Sequence, residues 1–441
     1  MQTNSIAHPR RIDWHRIAEA LPPRRIAIVL ATLLFAALLI SFRPFAPGGA
    51  PGETEGGDLV NQLGFGSVGA IALLSMLTYV DRRVLTALLS PWWLIVLGFL
   101  ALSVFHAAHP PSAMRAALFT VIGIMAIGAI LTLPRDADSF STVLASTGLA
   151  VVLLCYAGLV LFPAESIHSA DSFEPQHAGF WRGSFTHKNI AGPVMACLSF
   201  GGLYLWRRGW TVLGLVLFAL AMGFMINTGS KTTAGLVPLA IVLVMGPALM
   251  GLRWLTVLLF VLAIAGTALG TLGLVFIEPL AAFRATYLPE MTFTGRTALW
   301  EFAGEMIAHR PWTGYGFESF WLTSVVTDMD QPFDRDWDIR GIVHGHNGYL
   351  DIAVIMGVPA LVASAIAFLV VPAVDYLRTP LRRENVLLAD LFMMMLLFTA
   401  LNAFLESFFF RRADPVWLFL VMGCLGLRMV ARFPVPTRID L

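Results

Sequence analysis

The amino-acid sequence predicts an all-α fold, a polytopic transmembrane helical bundle of about a dozen spans with a long, partly helical loop between spans nine and ten. Three observations predict it. The 441 residues are 57% hydrophobic and 13% charged, where soluble domains run at roughly 45–50% and about 25%. Apolar runs recur from one end of the chain to the other, and basic residues gather in one set of connecting loops. A net charge of +1 leaves no electrostatic footprint for nucleic acid.

Runs long enough to cross a bilayer, bounded by charges, Pro or Gly, fall at 26–42, 63–80, 91–108, 114–133, 142–163, 190–206, 209–227, 232–250, 253–276, 348–374, 386–405 and 415–431. The first follows a polar, basic tail and reads as a membrane anchor better than as a signal-peptide core. The chain therefore divides into a tail at 1–25, spans one to nine at 26–276, a loop at 277–347, spans ten to twelve at 348–431 and a tail at 432–441. Cys155, Cys197 and Cys424 all lie inside apolar runs, as packing residues rather than disulfide partners or metal ligands.

Orientation follows from the loops, because basic segments resist translocation. One set carries 17 of the 29 Lys and Arg residues, among them Arg24, Arg82, Arg135, Arg207, Arg208, Arg253, Arg383 and Arg432. That set is expected in the cytoplasm together with both termini. The opposite face then holds two sizeable segments, 162–189 and 278–347, and every histidine except His8 and His15.

Within the long loop, Leu299, Phe302, Ala303, Met306 and Ile307 recur with the spacing of an amphipathic helix, which Pro311 ends. Thr294 is its expected N-cap, and Arg296 falls in the first turn, where free N–H groups favour an anion. Beyond Pro311, the stretch Trp312-Thr313-Gly314-Tyr315-Gly316-Phe317 suits either a sugar or headgroup surface or packing at the membrane boundary. The acidic run 328–338 reads as a solvated flap.

Three motifs stand out. His344-Gly345-His346-Asn347 opens span ten, with nine residues between Asn347 and Gly357. Gly183-Ser184-Phe185-Thr186-His187-Lys188-Asn189 opens span six. Thr294-Gly295-Arg296-Thr297-Ala298-Leu299-Trp300 and Arg310-Pro311-Trp312-Thr313-Gly314-Tyr315-Gly316 lie in the long loop. Their order and topology resemble the O-antigen ligase and polymerase family, over roughly residues 60–430, and the H-K-N element is most similar to its exopolysaccharide-production branch. Two positions depart from the family pattern: Ala360 stands where a residue of hydroxyl or other small type is expected, and Ile355 replaces an acidic residue.

The resemblance implies an inner-membrane glycosyltransferase. It would move a glycan from undecaprenyl diphosphate to another glycan or to lipid A core at the periplasmic face, alongside other polysaccharide assembly proteins. Such a transfer needs a cationic clamp for the departing diphosphate and a base for the acceptor hydroxyl. Arginine matches phosphate oxygens and keeps its charge; histidine takes a proton near neutral pH. The catalytic candidates are His346, Asn347 and Arg296. The binding candidates are Arg182, His187, Lys188, Asn189, Lys231, Arg411 and Arg412, with Glu406 and Asp351 as carboxylate partners for the arginines or for His346. The scheme requires no cofactor or metal, although His344-x-His346 offers two zinc-type ligands. Rival readings are a secondary transporter or exporter of an envelope precursor and a non-enzymatic scaffold, but transporter folds place ionisable residues at the midplane between related halves.

Overall fold

The computed structural model describes residues 23–45, 59–171, 174–288, 293, 295–329 and 338–437. These residues form helices and loops without a strand; the one β-bridge pairs Ile167 with Trp181. Thr294, His8, His15 and the core of the acidic run lie outside the described residues. The helices used below are α1 (Pro23–Ile40), α2 (Leu59–Tyr79), α3 (Arg82–Leu88), α4 (Pro91–Phe105), α5 (Pro110–Thr132), α6 (Ala137–Leu161), α7 (Lys188–Arg208), α8 (Thr211–Asn227), α9 (Lys231–Leu249), α10 (Arg253–Phe276), α11 (Glu278–Tyr287), α12 (Arg296–His309), α13 (Gly348–Met356), α14 (Val358–Arg378), α15 (Arg383–Asn402) and α16 (Pro415–Arg432).

Ten of these are long and apolar enough to cross a membrane, or eleven if the bent pair α3 and α4 counts as one span. Two of the about twelve expected runs lie in shorter helices. The run at 91–108 forms a helix of 15 residues and the run at 209–227 one of 17. At about 1.5 Å per residue these reach only about 22–26 Å, short of a hydrocarbon core of about 30 Å.

The bundle is centred on α15, buried from Leu387 to Asn402, and on α16, which packs along it. α7 lies against α15 and pairs closely with α8, while α1 packs on α6 and α2 on α5. The outer helices are apolar all round, so their free faces, such as Leu33, Leu77, Val160 and Val242, are exposed to lipid rather than water. The three cysteines are free and buried, as their apolar setting predicts.

One end of the bundle is laced by ion pairs. Arg24 binds Asp136 at 3.0 Å, Arg207 binds Asp390 at 2.8 Å, Arg208 reaches both Asp138 and Glu384 at 2.8 Å, and Arg432 reaches Asp375 at 3.0 Å. Each guanidinium ties two or more helices together, and its charge meets a carboxylate instead of a dry interior.

The other end is built by the long loop, which carries its own small core. Trp300, Phe302, Ala303, Met306, Tyr315, Phe320, Val326 and Ile339 pack with Leu350 and Val354 of α13. The anticipated helix is α12, with Leu299, Phe302, Ala303 and Met306 on its buried side. Of the aromatic loop that follows, Tyr315 and Phe317 turn inward, so only Trp312 offers an open ring face.

Span ten is not continuous. Gly357 has φ +86° and splits the expected 348–374 helix into α13 and α14. The loop after Pro311 fills the break: Tyr315 N donates to Val354 O at 2.9 Å, Gly316 N to Ile355 O at 3.0 Å, and Val358 N to Pro311 O at 2.7 Å. A Cβ at Gly357 would meet Trp312 O at 2.5 Å, and one at Gly314 would meet the backbone of Ile355 at 2.5 Å. The glycine spacing of two motifs thus reflects one joint, in which bare backbones pair and satisfy the carbonyls that the broken helix leaves open.

Candidate functional site

The His344-Gly345-His346-Asn347 turn forms the floor of the site. Asn347 is the N-cap of α13: its Oδ1 accepts from Tyr349 N and Leu350 N at 3.1 Å, and its Nδ2 donates to Phe404 O at 3.0 Å. It is fully buried with its amide occupied on backbone. Asn347 was expected to orient His346 or the acceptor; as the cap of α13 it fixes the backbone next to His346. His346 sits at φ +49°, a conformation disfavoured for a residue with a Cβ and held here by its surroundings.

Those surroundings come from the other motifs. Trp300 Nε1 donates to Gly345 O at 3.0 Å, and Asp351 accepts from Gly345 N at 3.1 Å and from Trp321 Nε1 at 2.9 Å. A Cβ at Gly345 would come within 2.6 Å of the Asp351 carboxylate, so this position must stay bare. Asp351, expected to partner an arginine or His346, clasps the turn that carries His346. His344 Nδ1 accepts from His346 N at 3.3 Å. Burial and the neighbouring charges of His346, Arg411 and Arg296 hold the His344 ring well below its ordinary range, consistent with a neutral acceptor.

Glu406, in the loop after α15, is where the segments meet. Its Oε1 accepts from Arg296 Nη2 at 2.9 Å and from Asn189 Nδ2 at 3.1 Å. Its Oε2 lies 3.4 Å from His346 Nδ1, within ion-pair distance but not aligned as a hydrogen bond. Burial pushes the Glu406 carboxyl up, but the nearby His346 ring and the Arg296 charge outweigh it, and the group ends below its ordinary range. It is an anion through the neutral pH range, set between a guanidinium and an imidazole.

A second histidine group adjoins the first through Asn189. His187 is the N-cap of α7: Nδ1 accepts from Asn189 N at 3.1 Å, which places the ring proton on Nε2, 2.9 Å from Glu174. His168 Nε2 accepts from Lys188 N at 3.2 Å, and burial and the charge of His187 lower the His168 ring to about 4. Glu174, His177 and His187 have ligand-type atoms within 4.8 Å of one another, as do His344, His346 and Glu406. The first group fits a metal poorly, because a metal on His187 Nε2 would move the ring proton to Nδ1, against the Asn189 N–H. In the second group, Glu406 already holds Arg296.

The remaining expected residues are arranged unevenly. Lys188 is buried with Nζ over the Phe180 ring at 4.7 Å, in electrostatic reach of Glu406, Glu174 and Lys231. Arg182 is buried; Nη1 donates to Thr186 O at 3.1 Å and Nε has no hydrogen-bond partner among the described residues. Lys231 is exposed at the start of α9. Arg411 is exposed and donates to Ser407 O at 3.2 Å. Arg412 is not drawn into the cluster: it turns to Glu318 at 3.8 Å and is more than half exposed. Sequence reasoning missed Glu174 and Trp321, single residues without a pattern. It also missed the bond from Trp300, although the G-R-x-x-x-W spacing places that ring on the buried side of α12.

All three motifs lie within residues 183–365, and those residues match the family model described as O-Antigen ligase. The chain carries an O-antigen ligase family domain. Glu406 lies beyond the matched segment, on the next loop but one in sequence, yet in contact with a residue from each of its three motifs. No curated protein matches the chain. The O-antigen ligase family domain supports a ligase or polymerase type of function acting on glycan and lipid-linked substrates, and the ten apolar helices make this a multi-pass membrane protein.

Proposed function

We propose that this O-antigen ligase family protein transfers a glycan from undecaprenyl diphosphate to a hydroxyl of an acceptor glycan or of lipid A core, at the periplasmic face of the bacterial inner membrane. The observation that carries the reading is the junction of Arg296, Asn189 and His346 on Glu406, which joins a loop helix, the start of α7 and the turn before α13. The paired arginines at the far end of the bundle support a cytoplasmic position for that end and a periplasmic one for the junction.

In this mechanism His346 accepts the proton of the acceptor hydroxyl, and the oxygen forms a bond to the anomeric carbon. The bond from that carbon to the phosphate oxygen breaks, and the electron pair leaves on the lipid diphosphate. Arg296 meets the negative charge that develops there, with Lys188 and Arg182 as further cations. Glu406 faces His346 and favours the imidazolium that proton transfer produces. Asn347 and Asp351 fix the turn from which His346 projects.

The H-K-N element favours exopolysaccharide or O-antigen polymerisation over ligation to lipid A core. The test is to incubate the purified protein with a lipid-diphosphate glycan and each acceptor in turn. Transfer to a repeat unit supports polymerisation; transfer to lipid A core reassigns the acceptor. His346→Ala and Arg296→Ala are each expected to abolish product while the protein stays in the membrane, and normal product from both variants would refute the site.

A further inference from the structure

The end of the bundle remote from Glu406 contains a cavity of 740 Å³ between α2, the α5–α6 turn, α15 and α16. Its volume falls in the range of about 300–1,000 Å³ typical of ligand pockets. Leu131, Phe140, Phe392 and Met429 make its wall apolar. One side is closed by residues 433–436, which cross the mouth as an extended strap. The strap is fastened: buried Asn385 donates to Val430 O and Phe433 O at 2.8 Å and accepts from Val435 N at 2.9 Å, while Ala137 N donates to Pro436 O at 3.0 Å. A fixed wall of this kind makes a shaped slot rather than a gap between loosely packed helices.

Charge at the mouth is uneven. Asp136 is occupied by Arg24 and Ser139, and Asp81 caps α3 by accepting from Arg83 N at 2.7 Å. Arg24, Arg207, Arg208 and Arg432 at this end all meet carboxylates. Arg135, which lines the cavity and is exposed, has no ion pair among the described residues. Arg82 and Arg83 add two further cations beside Asp81. An apolar slot at the edge of a bilayer with an uncompensated guanidinium at its mouth suits a ligand with a hydrocarbon chain and an anionic head.

We propose that this cavity binds one anionic glycerophospholipid, with an acyl chain between α2, α15 and α16 and the headgroup phosphate on Arg135. The site is separate from the glycan-transfer junction and does not depend on that reading.

The test is native mass spectrometry of the purified full chain, titrated with phosphatidylglycerol, phosphatidylethanolamine or phosphatidylcholine. The wild type is expected to hold one phosphatidylglycerol more tightly than either other lipid. Arg135→Glu should weaken that binding at least about tenfold, the scale of one charge-assisted phosphate contact. Arg25→Glu, a surface arginine at the same end but outside the cavity, should leave it unchanged. An unaltered melting temperature in Arg135→Glu shows that the fold is kept. Equal retention of the three lipids by the wild type, or equal loss in the Arg25 and Arg135 variants, would overturn the proposal.

Discussion

Replacing Glu406 by Gln tests the junction most directly. The amide keeps an oxygen that can accept from Asn189 but removes the charge facing Arg296 at 2.9 Å and His346 at 3.4 Å. Arg296 and Glu406 are 19% and 16% exposed, so solvent screens their bond only in part. A charge-assisted hydrogen bond of this kind contributes about 1.5–3 kcal/mol. If that interaction orders Arg296 for the departing diphosphate, its loss lowers kcat by about ten- to a hundredfold. KM for the donor should stay level or fall, because the freed guanidinium binds ground-state phosphate without competition. The assay is steady-state transfer from a lipid-diphosphate glycan by purified protein. A variant with wild-type kcat, or one whose defect lies wholly in KM, refutes the reasoning.

Asn347→Ala should act on stability before chemistry: losing the α13 cap and leaving Phe404 O without its donor costs about 3 kcal/mol, read as a lower unfolding midpoint in detergent. Gly357→Ala places a side chain at φ +86° against Trp312 O, and a loss of about 2 kcal/mol or more is expected from the same measurement. The Glu406 carboxyl lies below its ordinary value of 4.5 in the folded protein, so its stabilisation is complete above that value and fades as pH falls through the folded one. The melting difference between wild type and Glu406→Gln should accordingly be constant from neutral pH to about pH 5 and shrink below it; a difference that widens on acidification contradicts the assignment.

Much of the fold was legible because its signals are local. Apolar run length marks the spans, and the stripe from Leu299 to Ile307 marks α12. The lengths of the two short helices were less legible, because hydropathy reports composition and not where caps and turns end a helix. α4 ends at Phe105, where His106 is its cap, and α8 begins only at Thr211, after Gly209 has closed α7. The break at Gly357 has a local cue, the Pro359 that opens α14 two residues later, but the segment 311–316 that fills it is remote in sequence. The motif residues could be named from the sequence, but their division of labour could not. An asparagine ahead of an apolar helix is a cap by the ordinary rule, and Asn347 obeys it. Nothing in the sequence separates the roles of Asp351 and Glu406, two carboxylates near one membrane level. Geometry gives the first to a backbone turn and the second to Arg296.

The bond between Arg296 and Glu406 also bears on which anions the arginine attracts. A guanidinium already neutralised by its own counter-ion offers little to chloride or to a single phosphate, since displacing the carboxylate exchanges one anion for another of similar strength. A ligand with several negative oxygens can take the arginine while the carboxylate stays on Asn189 and His346. Such internal competition, rather than a tight fit, would favour polyanions over the abundant small ions of the surrounding fluid.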